Sequence, residues 1–266
     1  MDFTLLSYRE AAPAEDISRL VFSFWEFTTA AENFGTIEHE IFPDGCISLF
    51  YHRNEKFNLR RLIFNGLHLK SMTTTVYPNS FMWGMRISPA ACANILGVDP
   101  ADFRGMKMIE VEKFPHLTGG LLEKLNDCEN FDEAIAIYED HLKGLDFAPD
   151  IGDEKIDQAL RIIDETGGEI KIAELAGRLN LSTRQFERRF KASSGLSPKQ
   201  YARTRRLRAT AVALVENEKV NWANRAAEMG FADQSHLTHE FVSVTKRSPN
   251  SFAEKVGQIK HGKLIK

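Results

Sequence analysis

The stretch Ser182–Arg208, STRQFERRFKASSGLSPKQYARTRRLR, decides how the chain is read. It carries nine Lys/Arg against one acid, Glu187, in a protein whose formal net charge is −3. Phe186 and Phe190 stand four apart and share one helical face, so Thr183, Arg184, Glu187, Arg188 and Lys191 fall on the others. Ser182 suits an N-cap and Gly195 a helix stop. The spacing predicts a short basic helix held by two phenylalanines, with arginines pointing outward. Such a helix suits the major groove of DNA, where Arg grips guanine O6 and N7 with two hydrogen bonds. A solvated charged face is the plainer reading of any charge run, so the flanking sequence has to decide.

Upstream, Ile172, Leu175, Ala176 and Leu179 mark one apolar stripe and predict a short amphipathic helix. Asn180 follows and tolerates the left-handed conformation of a tight turn. Helix, tight turn and Ser-capped basic helix make a helix-turn-helix pattern. A second copy follows. Ala226–Phe231 reads as a helix end and a glycine turn, and Asp233–Phe241 as the next helix. Leu237 and Phe241 repeat Phe186 and Phe190 at an offset of 51, and Ser248-Pro249 repeats Ser197-Pro198 at the same offset. An internal repeat is far more specific than one motif. Between the copies, Ser197–Asn217 reads as the longest helix, with Ser197 and Gln200 as a capping box and Pro198 in the first turn. Twenty-one residues span ~31 Å, close to the ~34 Å between major grooves on one side of a duplex.

With these residues quoted, the segment 153–256 resembles the DNA-binding domain of AraC/XylS-type transcription regulators, through FKASSGLSPKQYARTRRLRATAVALV and GFADQSHLTHEF. The second half departs from the family pattern at Arg225, His239, Val242 and Lys246. The resemblance implies double-stranded promoter DNA as partner, read in two adjacent major grooves, with RNA polymerase as a further partner and gene activation or repression as the output.

Composition agrees with two domains at 266 residues. Residues 1–150 carry a net charge of −10 and residues 151–266 a net of +7, which fits one half touching DNA and the other staying off it. No apolar run approaches the ~20 residues of a membrane helix. The N-terminal MDFTLLSYREAAPAED does not read as a signal peptide. Cys46, Cys92 and Cys128 are odd in number and widely spaced, which points to a reducing cytoplasm and no disulfide framework.

The expected fold class is α+β: a cupin-like β-barrel or sandwich with following helices over 1–146, a linker at 147–152, an all-α double helix-turn-helix domain at 153–256 and a tail at 257–266. Strands are expected at 20–29, 36–43, 46–53, 59–70, 72–78 and 80–89, with Pro43-Asp44-Gly45 closing a hairpin between the second and third. The stretch PDGCISLFY at 43–51, with Arg-Ile-Ser-Pro at 86–89, resembles a cupin-like domain of unknown function that precedes some AraC-type regulators. Two amphipathic helices are expected at 117–128 and 131–143, serving either dimerisation, as the resemblance implies, or packing against the barrel.

The candidate DNA-binding residues are Ser182, Thr183, Arg184, Gln185, Glu187 and Arg188 of the first recognition helix, and Gln234, Ser235, His236, Thr238 and His239 of the second. Gln suits adenine and Thr a thymine methyl. Lys199, Arg203, Arg205 and Arg206 are expected at phosphates, with Arg189 snorkelling to another. His236 and His239 also have a metal pair's spacing, without a further ligand to complete it. In the front half Trp25, His39, Trp83 and Arg86, with Met85 nearby, are candidates to line a small-molecule effector pocket or simply a core. No cofactor or metal is expected. The alternative is an enzyme, with a cupin-like catalytic barrel and Cys46 as a reactive thiol.

Overall fold

The structure is a computed structural model that describes residues 6–30, 35–106, 108–148, 151–216, 226–227, 230–256 and 259–261. The N-terminal half is a two-sheet β unit followed by helices, and the C-terminal half is helical, so the class is α+β as expected. The large sheet has the order β5-β4-β7-β2-β1-β8, built from β1 (Leu6–Ala11), β2 (Val21–Thr29), β4 (Ser48–Asn54), β5 (Leu59–Asn65), β7 (Ser80–Ile87) and β8 (Ile259–His261). β3 (Ile37–Ile41) and β6 (Met72–Val76) form a separate two-stranded sheet.

Two expectations fail here. Pro43-Asp44-Gly45 does not close a hairpin, because β3 pairs with β6 while β4 pairs with β5 and β7. The turn instead carries the chain from one sheet to the other. The Asp44 carboxylate accepts from the Cys46 backbone N–H at 3.0 Å and from Arg86 on β7. The segment 257–266 is not wholly a tail, since β8 adds to the large sheet parallel to β1.

The helices after the sheets are α1 (Cys92–Leu96), α2 (Pro115–Thr118), α3 (Leu121–Asn126) and α4 (Phe131–Lys143). The single helix expected at 117–128 is therefore two pieces, divided at Gly119-Gly120. The apolar face of α4 buries Phe131, Ala134, Tyr138 and Leu142 against the outer side of the large sheet. Tyr138 Oη donates to Trp83 O at 2.9 Å and accepts from Tyr51 N at 3.1 Å, and its ring stacks with Phe24. Packing against the sheet thus uses the face that would otherwise serve a dimer.

The C-terminal half begins at α5 (Glu154–Glu165), capped by Asp153. Then come α6 (Ile172–Arg178), α7 (Thr183–Ser194), α8 (Pro198–Glu216), α9 (Gln234–Thr245) and α10 (Pro249–Val256). Asn180 takes φ 53° in the turn between α6 and α7. Asn217, Arg225, Glu228 and Met229 lie outside the described residues.

One continuous core runs from Phe24, Tyr51 and Trp83 through Leu121 and Ile156 to Phe186, Phe190 and Tyr201, so the halves share apolar packing rather than hanging on a linker. A second cluster joins Leu6, Phe27 and Val76 to Leu207, Phe241 and Phe252. Gly195 makes this closeness possible: at φ 74° it ends α7, and a Cβ there would stand 2.7 Å from Ala101 N.

Removing the Tyr138 hydroxyl removes its buried bonds to Tyr51 N and Trp83 O, so Tyr138→Phe is expected to lower unfolding free energy by ~1–3 kcal/mol. Urea denaturation measures this. An unchanged midpoint would mean that α4 is not held to the sheet by that hydroxyl.

Candidate nucleic-acid interface and inter-half cavity

Local sequence builds α7 as expected. Ser182 accepts from Gln185 N at 3.3 Å, and Gln185 Oε1 accepts from Ser182 N at 3.0 Å, which is a complete capping box. Phe186 and Phe190 are fully buried, with rings 5.7 Å apart. Ser182, Thr183, Arg184, Gln185, Glu187 and Arg188 are all exposed. In α9, Asp233 caps by accepting from His236 N at 2.7 Å, while Leu237 and Phe241 are buried. Gln234, Ser235, His236 and His239 are exposed, and Thr238 is half-buried. The His236 ring is partly engaged, as Nδ1 accepts from Ala232 N at 3.3 Å beside Phe231.

Both recognition helices are gripped at their C-terminal ends by the N-terminal half. Arg104 donates to Gly195 O just past α7, at 2.9 Å from Nε. Ser71 N donates to Val244 O of α9 at 3.0 Å, and Arg247 pairs with Glu40 at 3.1 Å. Lys and Arg donors suit these ends because the last carbonyls of a helix lack partners and carry its negative pole. The N-terminal turns, with their positive pole, are the ones left exposed. The connecting α8 has 19 described residues, a span of about 28 Å.

Lys199 is exposed near the start of α8, but the other basic residues expected at phosphates are spent inside the protein. Arg205 pairs with Asp164 at 2.5 Å and lies over the Phe22 ring. Arg203 pairs with Glu240 at 2.5 Å and also donates to Ser243. Arg206 donates to Gly230 O at 3.3 Å and covers the Phe231 ring. Arg189 holds both Asp153 oxygens at 2.7 Å, tying α7 to the cap of α5. Each faces an acid or ring that is distant in sequence, which spacing along α8 or α7 does not reveal.

A cavity of about 520 Å³ lies between the two sheets and is closed on one side by α8 and α10. Trp25, His39 and Arg86 line it, as does Arg208 of α8. Trp83 does not. It sits on the opposite face of β7, buried beside Tyr51, with its N–H donated to Glu26 at 2.9 Å. Met85 lies in the same core. Sequence reasoning missed Arg208, Glu10 and Asp44, which complete a buried network around Arg86. Arg86 donates to Asp44, to Ser23 Oγ at 2.9 Å and to Tyr8 Oη at 2.7 Å, and stands 3.2 Å from Glu10; Arg208 and Tyr8 both donate to Glu10. Burial alone would raise the Glu10 pKa, but the charges of Arg86 and Arg208 outweigh it and hold it down to about 2.

Cys46 is no activated thiol: it is buried, and burial, followed by the charge of Asp44, pushes its pKa well up. Among the described residues no three His, Cys, Asp or Glu side chains gather into a metal-holding group. Among them, too, no helix is long and apolar enough to cross a membrane.

Comparison with known proteins adds the following. Residues 175–255 match the family described as helix-turn-helix domain, and residues 9–108 match a domain of unknown function, DUF6597. The Msm operon regulatory protein of Streptococcus mutans is 28% identical over 102 residues, which are 38% of this chain and 36% of that protein. The chain thus spans about a third of that relative's length. An AraC-type transcriptional regulator structure from Chromobacterium violaceum covers 38% of this chain and 91% of its own at 21% identity and TM-score 0.36. The structure of ToxT from Vibrio cholerae covers 84% of this chain and 99% of its own at 12% identity and TM-score 0.42.

The arginines separate into two kinds. Arg205→Ala leaves Asp164 without its partner and is expected to cost ~3 kcal/mol. Arg184→Ala and Arg188→Ala, at exposed positions, are expected to stay within about 0.5 kcal/mol. Urea unfolding of the three variants compares them. The Glu10 network adds a pH dependence. Its depressed carboxylate pKa stabilises the fold fully above the ordinary carboxylate range near pH ~4.3, and this is lost as pH falls toward 2. Stability should fall more between pH 5 and 3 in the wild type than in Glu10→Gln. Parallel acid loss in both would remove Glu10 from the network's energetics.

Proposed function

We propose that this chain, whose residues 175–255 are an AraC-type helix-turn-helix domain, is a sequence-specific, DNA-binding transcription regulator. The observation that carries the reading is the pair of Ser- and Asp-capped helices, α7 and α9, each exposing its N-terminal turns while its C-terminal end is held. In this reading Thr183, Arg184 and Arg188 of α7 meet base edges, and Ser182 and Lys199 meet phosphates. Gln185 spends its backbone N–H and its Oε1 on the helix cap, so its side-chain NH2 is the group it offers to DNA. Glu187 accepts from a cytosine amine or repels a wrong register. In α9, Gln234, Ser235 and His239 meet bases, with His236 and Thr238 beside them.

The name of the Streptococcus mutans relative, an operon regulatory protein, favours the same assignment. The N-terminal half, resting on both recognition helices, serves as the sensor of a small-molecule effector. RNA polymerase and a second copy of the chain are the further partners of this reading, and the cytoplasm is its compartment. The enzyme alternative finds no support in the buried, proton-holding Cys46.

Selection of duplexes from a random pool by the full-length protein tests the assignment. Two short conserved blocks about 10 base pairs apart are expected. Arg188→Ala should relax one block at a cost of ~1–3 kcal/mol. Affinity should fall steeply with salt, because bound phosphates release counterions. Salt-insensitive binding, or no enriched sequence, would sink the proposal.

A further inference from the structure

Strand register sets the floor of the inter-half cavity. β4, β7 and β2 lie side by side, with Phe50, Gly84 and Trp25 in one row and His52, Met82 and Phe27 in the next row on the same face. Gly84 is what lets Trp25 lie across the middle strand. A Cβ there would come within 2.5 Å of the indole and 2.7 Å of Phe50 Cβ. The indole and Phe50 rings are 5.4 Å apart, and the Phe27 and His39 rings lie 4.7 Å apart, tilted, beside them. Where the cavity meets solvent its lining is again apolar, through the exposed Phe57, Tyr77 and Met108.

The charges inside already have partners. Arg86 is matched by Asp44 and Glu10, Arg208 by Glu10, and Glu40 by Arg247 and Ser71. Arg61 is a lining cation exposed to water. An ionised ligand in the interior would lose its hydration without gaining a free counter-charge. Among the described residues Trp25 Nε1 and His52 Nε2 are unbonded, but both atoms are covered by surrounding protein and do not open onto the cavity, and His52 is only 8% exposed. Burial, followed by Arg61, holds its pKa down to about 4, so the ring is neutral at neutral pH. The floor therefore meets a ligand through ring faces and apolar edges rather than through free polar atoms.

We infer that the cavity binds an uncharged, flat aromatic compound of two or three rings, held by stacking on Trp25, Phe50 and Phe27. This rests on the sensor reading of the N-terminal half and gives it a ligand class. About 520 Å³ suits such a compound, and the aromatic walls offer offset stacking. Ala211 and Val212 of α8 also line the space, so the bound compound touches the helix that joins the two recognition helices.

Three probes test the inference by equilibrium dialysis against the full-length protein without DNA: 2-ethylnaphthalene, its saturated analogue 2-ethyldecalin, and 2-naphthoate. The flat hydrocarbon is expected to bind at least ~10-fold more tightly than the other two, a difference of about 1.4 kcal/mol. Trp25→Leu should remove most of its advantage over the decalin and leave the decalin's affinity nearly unchanged. Equal binding of naphthalene and decalin, tightest binding of naphthoate through Arg61, or no binding of any probe would overturn the ligand class. A separate titration of a selected duplex, with and without 2-ethylnaphthalene, addresses the sensor reading. Naphthalene binding that leaves DNA affinity unchanged would remove the sensor and keep the ligand class.

Discussion

Arg86 is buried, and a buried guanidinium must be answered by carboxylates or it destabilises the fold. Its carboxylates come from two places, Glu10 on β1 and Asp44 in the turn between the sheets, and Glu10 in turn holds Arg208 on α8. One side chain on the central β7 therefore fixes the course of the chain between its two sheets. It also fixes the approach of the helical half. The charge division along the sequence, acidic before residue 150 and basic after it, gains a second meaning. Part of that acid is counter-charge for the back half's arginines, at Glu10 for Arg208 and Glu40 for Arg247. The excess that stays off DNA is smaller than the net charges suggest.

The same docking decides which arginines remain for a nucleic acid. Along α8, Arg203, Arg205, Arg206 and Arg208 all turn to partners within the protein. Of the candidate base contacts, Arg184 and Arg188 stay exposed at the start of α7 and Gln234, Ser235 and His239 at the start of α9, the ends whose backbone N–H groups and dipoles favour phosphate. Anchoring the opposite ends, by Arg104 at Gly195 and Ser71 at Val244, leaves those starts open to solvent. Base readout then depends on few side chains, with position set by the packed core behind them.

Local chemistry was legible in the sequence and long-range pairing was not. Ser182, Phe186, Phe190, Asn180 and the Ser197–Gln200 cap read correctly because each acts within four residues of itself. The β3–β4 hairpin misread the Pro-Asp-Gly turn because a turn signal does not say which sheet the next strand joins. Trp25 and Trp83 look alike in sequence, yet the register pairs Trp25 with Gly84 and Glu26 with Trp83, which puts the two indoles on opposite faces. A shift of one residue would exchange them, and nothing local sets that register. The arginines of α8 failed for a related reason: Asp164 and Glu240 lie 41 and 37 residues away from the arginines they hold.

The cavity's walls come from both halves, and this bears on how a ligand acts there. A ligand shifts an equilibrium only by the difference in its affinity for the two states. A compound that touched the sheets alone would bind equally well with α8 docked or displaced and would change nothing at α7 or α9. Because Ala211, Val212 and Phe252 complete the enclosure, displacing α8 would return part of the ligand's apolar surface to water. At ~25 cal/mol per Å², losing about 60 Å² of contact is worth ~1.5 kcal/mol, roughly tenfold in the balance between the two arrangements. The wall on α8 is built of small and branched apolar side chains, so the coupling scales with how fully a ligand fills the space up to that helix. Ligand size, as much as its stacking on the floor, sets the strength of the response.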